Sequence, residues 1–109
     1  MFMKIVRTNR YTKDLKRIGV TTAEQEALEN EIANNPEAGD IIPGLDGLRK
    51  IRFAMGNRGK RGGGRAIYYF MLSDDLAIIF TAYAKNERED LTTDQKKAIL
   101  NLLKEFKNG

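Results

Sequence analysis

The stretch from Leu76 to Lys85 constrains the fold most, because it is almost wholly apolar until its last residue. A run of that kind reads as a strand near the centre of a sheet, covered on both faces. Two shorter strands precede it. Leu48 to Ala54 is one. Arg65 to Leu72, rich in aromatic and apolar residues, is the other, and Ser73-Asp74-Asp75 makes the hairpin turn after it. Residues 2–7 read as a further strand through Phe2, Ile5 and Val6. Tyr11, Leu15 and Ile18 then form a helical stripe that Gly19 ends. Thr21 or Thr22, with Glu24 and Gln25 as capping-box partners, starts a second helix that stops before Pro36. So short a turn packs the two as an antiparallel hairpin. Residues 37–47 are a connection. Thr92 and Gln95 open a last helix with Ile99, Leu102, Leu103 and Phe106 on its apolar stripe. The order β-α-α-β-β-β-α gives an α+β fold: an antiparallel sheet of about four strands, with an N-terminal helical hairpin and a C-terminal helix packed on it. The 109 residues suffice for one domain, 1–109.

Charge is sorted along the chain. Residues 1–20 carry six bases and one acid, 21–47 seven acids and no base, and 48–65 seven bases and no acid. That layout predicts a basic patch facing a polyanion or an acidic partner. Lys4, Arg7, Arg10, Lys13, Lys16 and Arg17 either join such a surface or serve solubility. The acidic helix from Glu24 to Glu31 either meets a basic partner or stays solvated.

Composition narrows the chemistry. The absence of cysteine removes disulfides and thiol chemistry, and the absence of histidine removes His-ligated metals and Ser-His triads. No apolar run reaches the roughly 20 residues of a membrane span, and the N-terminal residues lack a signal-peptide pattern, so a cytoplasmic location without membrane contact is expected. Strand periodicity sets Lys50 and Arg52 on one face with Leu48 and Ala54, while Ile51 and Phe53 point to the core. Paired cations on a sheet face cradle phosphate, and a hairpin brings Arg65 back towards them. Between lies a glycine-rich basic flap, residues 56–64, that matches neither a P-loop nor a GxGxxG motif, so no nucleotide cofactor is expected. Tyr68, Tyr69 and Tyr83 interleave with the bases, each either stacking on a nucleobase or packing in the core. Candidate RNA-binding side chains are Arg49, Arg58, Lys60, Arg61, Tyr68 and Tyr83. Asp74 and Asp75 read as turn formers, and Glu87, Glu89 and Asp90 show no metal-ligand spacing. One hydrolytic route fits the residues present. A lysine among cations takes a proton from a 2′-hydroxyl, and arginines stabilise the charge building on the phosphate.

Three runs carry a resemblance: residues 44–52 (Gly-Leu-Asp-Gly-Leu-Arg-Lys-Ile-Arg), residues 59–70 (Gly-Lys-Arg-Gly-Gly-Gly-Arg-Ala-Ile-Tyr-Tyr-Phe) and residues 83–87 (Tyr-Ala-Lys-Asn-Glu). Together they resemble the HigB branch of the RelE/ParE toxin superfamily, over nearly the whole chain. The resemblance implies a toxin of a type II toxin–antitoxin pair that enters the ribosomal A site and cuts mRNA. It implies no metal or other cofactor: the 2′-hydroxyl attacks the adjacent phosphate to give a 2′,3′-cyclic phosphate. The implied partners are the 70S ribosome with its mRNA and a cognate antitoxin, often of helix-turn-helix type. Promoter DNA is met only through the toxin–antitoxin complex. Residue by residue, the family's catalytic cations fall on Lys50, Arg52, Arg65 and Lys85. Asn86 and Thr92 stand where the RelE branch has an arginine and a tyrosine. That departure matches the HigB branch and leaves the acid/base pair unassigned; Lys50, Lys60 and Lys85 are all candidates for the base, with Lys50 favoured. The alternatives are a ParE-like gyrase poison on the same fold and a non-catalytic ribosome- or RNA-binding module.

Overall fold

Local signals place each helix. The Thr8 side chain accepts the Tyr11 N–H to cap α1 (Asn9–Ile18), and Gly19 ends it in the left-handed conformation at φ 77°. A glycine reaches that backbone region without steric cost. The start of α2 (Thr22–Asn34) is a complete capping box: Thr21 accepts from the Glu24 N–H, and the Glu24 carboxylate accepts from the Thr21 N–H. Thr92 and Gln95 repeat the arrangement before α4 (Thr93–Asn108).

The computed structural model describes residues 2–56, 59–88 and 90–108, apart from the side chain of Arg61. The strands are β1 (Lys4–Arg7), β2 (Asp40–Ile41), β3 (Arg49–Phe53), β4 (Gly64–Met71) and β5 (Leu76–Ala84), and a short helical turn, α3 (Gly59–Gly62), precedes β4. They form one sheet in the order β1-β5-β4-β3-β2. Its two faces are both covered, as the apolar run of β5 requires. On one face Tyr11 and Leu15 of α1 and Leu28 and Ile32 of α2 pack against Ile51, Phe53, Tyr68 and Ile79. On the other, Ile99 and Leu103 of α4 pack against Leu48, Ile67, Phe80 and Tyr83. No helix among the described residues is long and apolar enough to cross a membrane.

The α+β fold with its helical hairpin and C-terminal helix is as expected, with three differences in detail. The sheet is mixed, because β1 runs parallel to β5, with Lys4 opposite Leu76 and Arg7 opposite Ile79. The chain leaves β1 through two helices and three strands before β5, so no tight turn imposes an antiparallel pairing. A fifth strand, β2, lies inside the 37–47 connection and is too short to leave a periodic signal. The basic flap holds α3 where only loop was expected.

An ion-pair cluster ties the hairpin to the sheet. The carboxylate of Glu29, in a residue 6% exposed, accepts from Arg7 at 2.9 Å, the Tyr11 hydroxyl at 2.9 Å and Gln25 at 2.9 Å. Tyr11 near the start of α1 thus meets Glu29 in the second half of α2, as in an antiparallel hairpin. Burial pushes the Glu29 carboxyl up, but the hydrogen bonds from Arg7, Gln25 and Tyr11 outweigh it and hold the group below its ordinary value of 4.5. A depressed carboxylate stabilises the fold above its unfolded-state pKa, and that contribution fades as pH falls through the folded value. Thermal melts should therefore show an acid limb below about pH 4.5 that is shallower in Glu29→Gln. Glu87, depressed in the same sense, leaves part of that limb in place. Glu29→Ala, which leaves the buried Tyr11 hydroxyl without its acceptor, should cost about 1–3 kcal/mol at neutral pH.

Candidate nucleic-acid interface

The register of β3 on β4 sets the site. Arg52 stands directly opposite Arg65, and Arg65 opposite Tyr83 of β5. Side-chain alternation puts Lys50 and Arg52 on the face away from Ile51 and Phe53, whose side chains are buried under α1 and α2. Lys85 follows the end of β5, its N–H donating to the Gly63 carbonyl at 2.9 Å. Lys60 comes from α3. These five cations line one open groove of about 590 Å³, whose walls also include Glu31 of α2, Asp40 of β2 and the small Ala38. Strand β2 covers β3 only at Arg49 and Lys50, so Ile51 to Phe53 lie at the sheet edge, where the groove opens.

The cations are held differently. Arg65 is 8% exposed; its Nη1 donates to the Gly64 carbonyl at 2.9 Å and to the Lys60 carbonyl at 3.2 Å, tying α3 to β4. Burial, then the neighbouring Arg52, pulls its pKa below the ordinary arginine value, although arginine stays charged at neutral pH. Arg52 is exposed. The Lys50 ammonium lies 3.9 Å from Asp90, which is also 3.9 Å from Lys96. Exposed pairs at that distance bind weakly. The turn carrying Lys85 is clamped from the other side of the sheet. Asp14, 3% exposed, accepts the Thr81 hydroxyl and the Ala82 N–H and holds Arg17 at 3.1 Å. Arg17 in turn pairs with Glu87, which accepts the Ala84 N–H at 3.1 Å. Burial would raise the Glu87 carboxyl; the hydrogen bond from Arg17 and that from the Ala84 N–H lower it overall.

The glycines of the flap let it approach the sheet. A Cβ at Gly63 would press on the Phe53 carbonyl, and one at Gly64 on the Phe53 ring.

Lys50, Arg52, Arg65, Lys85 and Lys60, dispersed in sequence, thus converge. Three other candidates do not. The Arg49 guanidinium donates to the Gly39 carbonyl at 2.7 Å and lies 5.4 Å from the Phe70 ring centroid. Strand alternation turns it to the α1–α2 face, where it fastens the connection after α2. Tyr68 is 0% exposed; its hydroxyl donates to the Pro36 carbonyl at 2.6 Å and accepts the Gly39 N–H at 2.9 Å. Tyr83 is 1% exposed under α4, and burial pushes its hydroxyl up to about 12. Neither ring is available to stack on a nucleobase; both are core residues. Arg58 and the side chain of Arg61 lie outside the described residues. Sequence reasoning missed Glu31 and Asp40 as groove walls. The one available signal was the acidic helix, whose Glu24 and Glu31 meet the basic flap of the same chain: Glu24 accepts the Gly56 N–H at 2.7 Å, and Glu31 holds Lys60.

No family model matches the sequence. Among solved structures, the chain is similar to the Escherichia coli toxin RelE in a double arginine-to-alanine form in the free state. The TM-score is 0.57 at 17% identity, over 82% of this chain and 90% of that one. A RelBE toxin–antitoxin complex from Mycobacterium tuberculosis aligns with TM-score 0.57 at 16% identity, over 83% of this chain and 95% of that one. The intact RelBE complex of Escherichia coli aligns with TM-score 0.53 at 16% identity, over 77% and 96%. The chain therefore has the RelE-like fold.

Like charges directly opposite across a strand pair destabilise a sheet. Arg52→Gln should raise stability by up to about 1 kcal/mol, most at low ionic strength, where screening is least. Denaturant titrations at two salt concentrations measure this.

Proposed function

We propose that residues 1–109 act as one RelE/HigB-like toxin domain, the toxin of a type II toxin–antitoxin pair, and that it is a ribosome-dependent mRNA endoribonuclease of the cytoplasm. The observation that carries this reading is the convergence of Lys50, Arg52, Arg65 and Lys85 in one open groove. Arginines and lysines gathered around a single site match the charge that builds on a phosphodiester under attack. The fold shared with RelE and with RelBE complexes supports it, and the motif resemblance to the HigB branch points the same way.

In this reaction the 2′-oxygen bonds to phosphorus, the bond from phosphorus to the 5′-oxygen breaks, and the product is a 2′,3′-cyclic phosphate. Arg52 and Arg65 take the developing negative charge. Lys50 accepts the 2′-hydroxyl proton, and Lys85 donates one to the leaving 5′-oxygen. Charge stabilisation comes from the side chains themselves, so no metal is called for. With Tyr68 and Tyr83 in the core, the groove offers cations rather than aromatic platforms. It therefore binds backbone, and base selection falls to the ribosome that presents the mRNA. A cognate antitoxin of helix-turn-helix type neutralises the toxin and links it to promoter DNA.

Translation of one defined mRNA with the purified protein, followed by primer extension, tests this. New cleavage ends should appear only when ribosomes are present. Lys50→Ala, Arg52→Ala and Lys85→Ala each alter a side chain at least a third exposed, so the folds survive, and each should slow cleavage about 10²-fold or more. Intact mRNA with halted translation would instead mark a non-catalytic ribosome blocker, and intact mRNA with normal translation would remove the ribosome as target.

A further inference from the structure

The groove holds an anion of its own. Glu31 projects from α2 into the wall opposite the cations, and the Lys60 ammonium donates to its two carboxylate oxygens at 3.3 and 3.2 Å. Glu31 is the last of the α2 acids on this side. Glu24, two turns earlier, accepts the Gly56 N–H, so α2 holds both ends of the segment that delivers Lys60. Both partners of the pair are partly solvated, with side-chain exposures of 61% for Lys60 and 34% for Glu31. An ion pair in that setting is weak and exchanges readily. Among the described residues, Arg52 and Lys85 form no ion pair, Lys50 has the looser approach of Asp90, and Arg65 is held by its own contacts.

We infer that Glu31 is a specificity-determining residue that stands in for a phosphate at Lys60. A single phosphate group sits among Lys50, Arg52, Arg65 and Lys85 and leaves Lys60 on Glu31. A nucleic-acid strand that runs along the groove places a further phosphate at Lys60 and must displace the carboxylate. Lys60 is therefore the guarded position of the groove. Glu31 weakens the binding of chains relative to single phosphates and leaves the chain to be held by whatever else presents it. The inference rests on the groove being a polynucleotide site, as proposed above.

Exchange of partners also changes the ion count. A phosphate that binds a free lysine releases that phosphate's share of condensed counterions, whereas displacement of Glu31 leaves a new bare carboxylate that recruits cations. Removing the carboxylate should therefore steepen the salt dependence of binding by up to about 0.7 in the slope of log K on log salt, the value for one single-strand phosphate.

The test compares the intact protein with Glu31→Gln, Lys60→Gln and the double variant, using two probes. One is uridine 3′-monophosphate. The other is a 2′-O-methyl RNA hexanucleotide, which cannot be cut by 2′-hydroxyl attack. Glu31→Gln should bind the hexanucleotide about two- to fivefold more tightly, the range set by an exposed ion pair, with the steeper salt slope and unchanged binding of the mononucleotide. Adding Lys60→Gln should remove the gain. Thermal melts of the four proteins should agree closely, because both side chains are partly solvated. Hexanucleotide affinity that is unchanged or lower in Glu31→Gln overturns the inference and leaves the polynucleotide reading intact. So does an equal gain for the mononucleotide. Failure of the unmodified protein to bind the hexanucleotide at any salt concentration overturns both.

Discussion

Arg52 and Arg65 face each other across neighbouring strands, and the groove is organised around that repulsion. Arg65 cannot move away, because its guanidinium is buried and bonded to the carbonyls of Lys60 and Gly64. Arg52 cannot turn to the other face, because Ile51 and Phe53 on either side of it are locked in the core. A one-residue slip of β3 would reverse all three and expose the two apolar side chains. The apolar positions of β3 thus hold its charged ones in place. Concentrated positive charge raises the local potential and favours an arriving anion, so the same arrangement that strains the sheet makes it receptive.

A second chain of contacts reaches the groove from beneath. Asp14 is fixed to the backbone of β5 and to Arg17, and Arg17 holds Glu87 on the turn that follows β5. Lys85 lies between the anchored Ala84 and Glu87, so its direction is set by α1, on the opposite side of the sheet. The basic residues of α1 are thereby divided. Arg17 serves the geometry of the groove, and Arg10 braces the same Asp14 at 3.4 Å, while Lys13 and Lys16 remain exposed.

Local grammar in the sequence accounts for most of the fold. Thr21 with Glu24, Thr92 with Gln95, and Gly19 mark helix ends through interactions spanning a few residues, and all three are found in place. Strand alternation likewise separates Lys50 and Arg52 from Ile51 and Phe53. Information that depends on which strands become neighbours was out of reach. β1 alongside β5 is a pairing between distant parts of the chain, and β2 has only two residues. The roles of Arg49, Tyr68 and Tyr83 were illegible for a related reason: a cation or an aromatic ring beside a basic run looks the same whether it faces ligand or core. Arg49 and Tyr68 turn inward because the backbone of residues 36–39 offers groups to bond, and Tyr83 because α4 lies over it. The acidic helix carrying Glu31 reads equally as a face for a basic partner or as a solvated one, and Glu24 and Glu31 meet the chain's own flap.

The parallel pairing of β1 with β5 has a consequence for the order of assembly. Lys4 to Arg7 pair with Leu76 to Ile79, and the Lys4 N–H donates to the Asp75 carbonyl at 2.7 Å, so β1 has no sheet partner until β5 exists. Closing that long loop is entropically costly until the β3–β4–β5 meander has formed to receive it. The meander needs only short connections and can assemble first, carrying the cationic groove with it. Docking of β1, together with Thr8, which bonds the carbonyls of Ile79 and Phe80, then seats α1 and through Arg17 fixes the turn bearing Lys85. A nascent chain would therefore acquire its charge before its final geometry, and competence would arrive as a single late step.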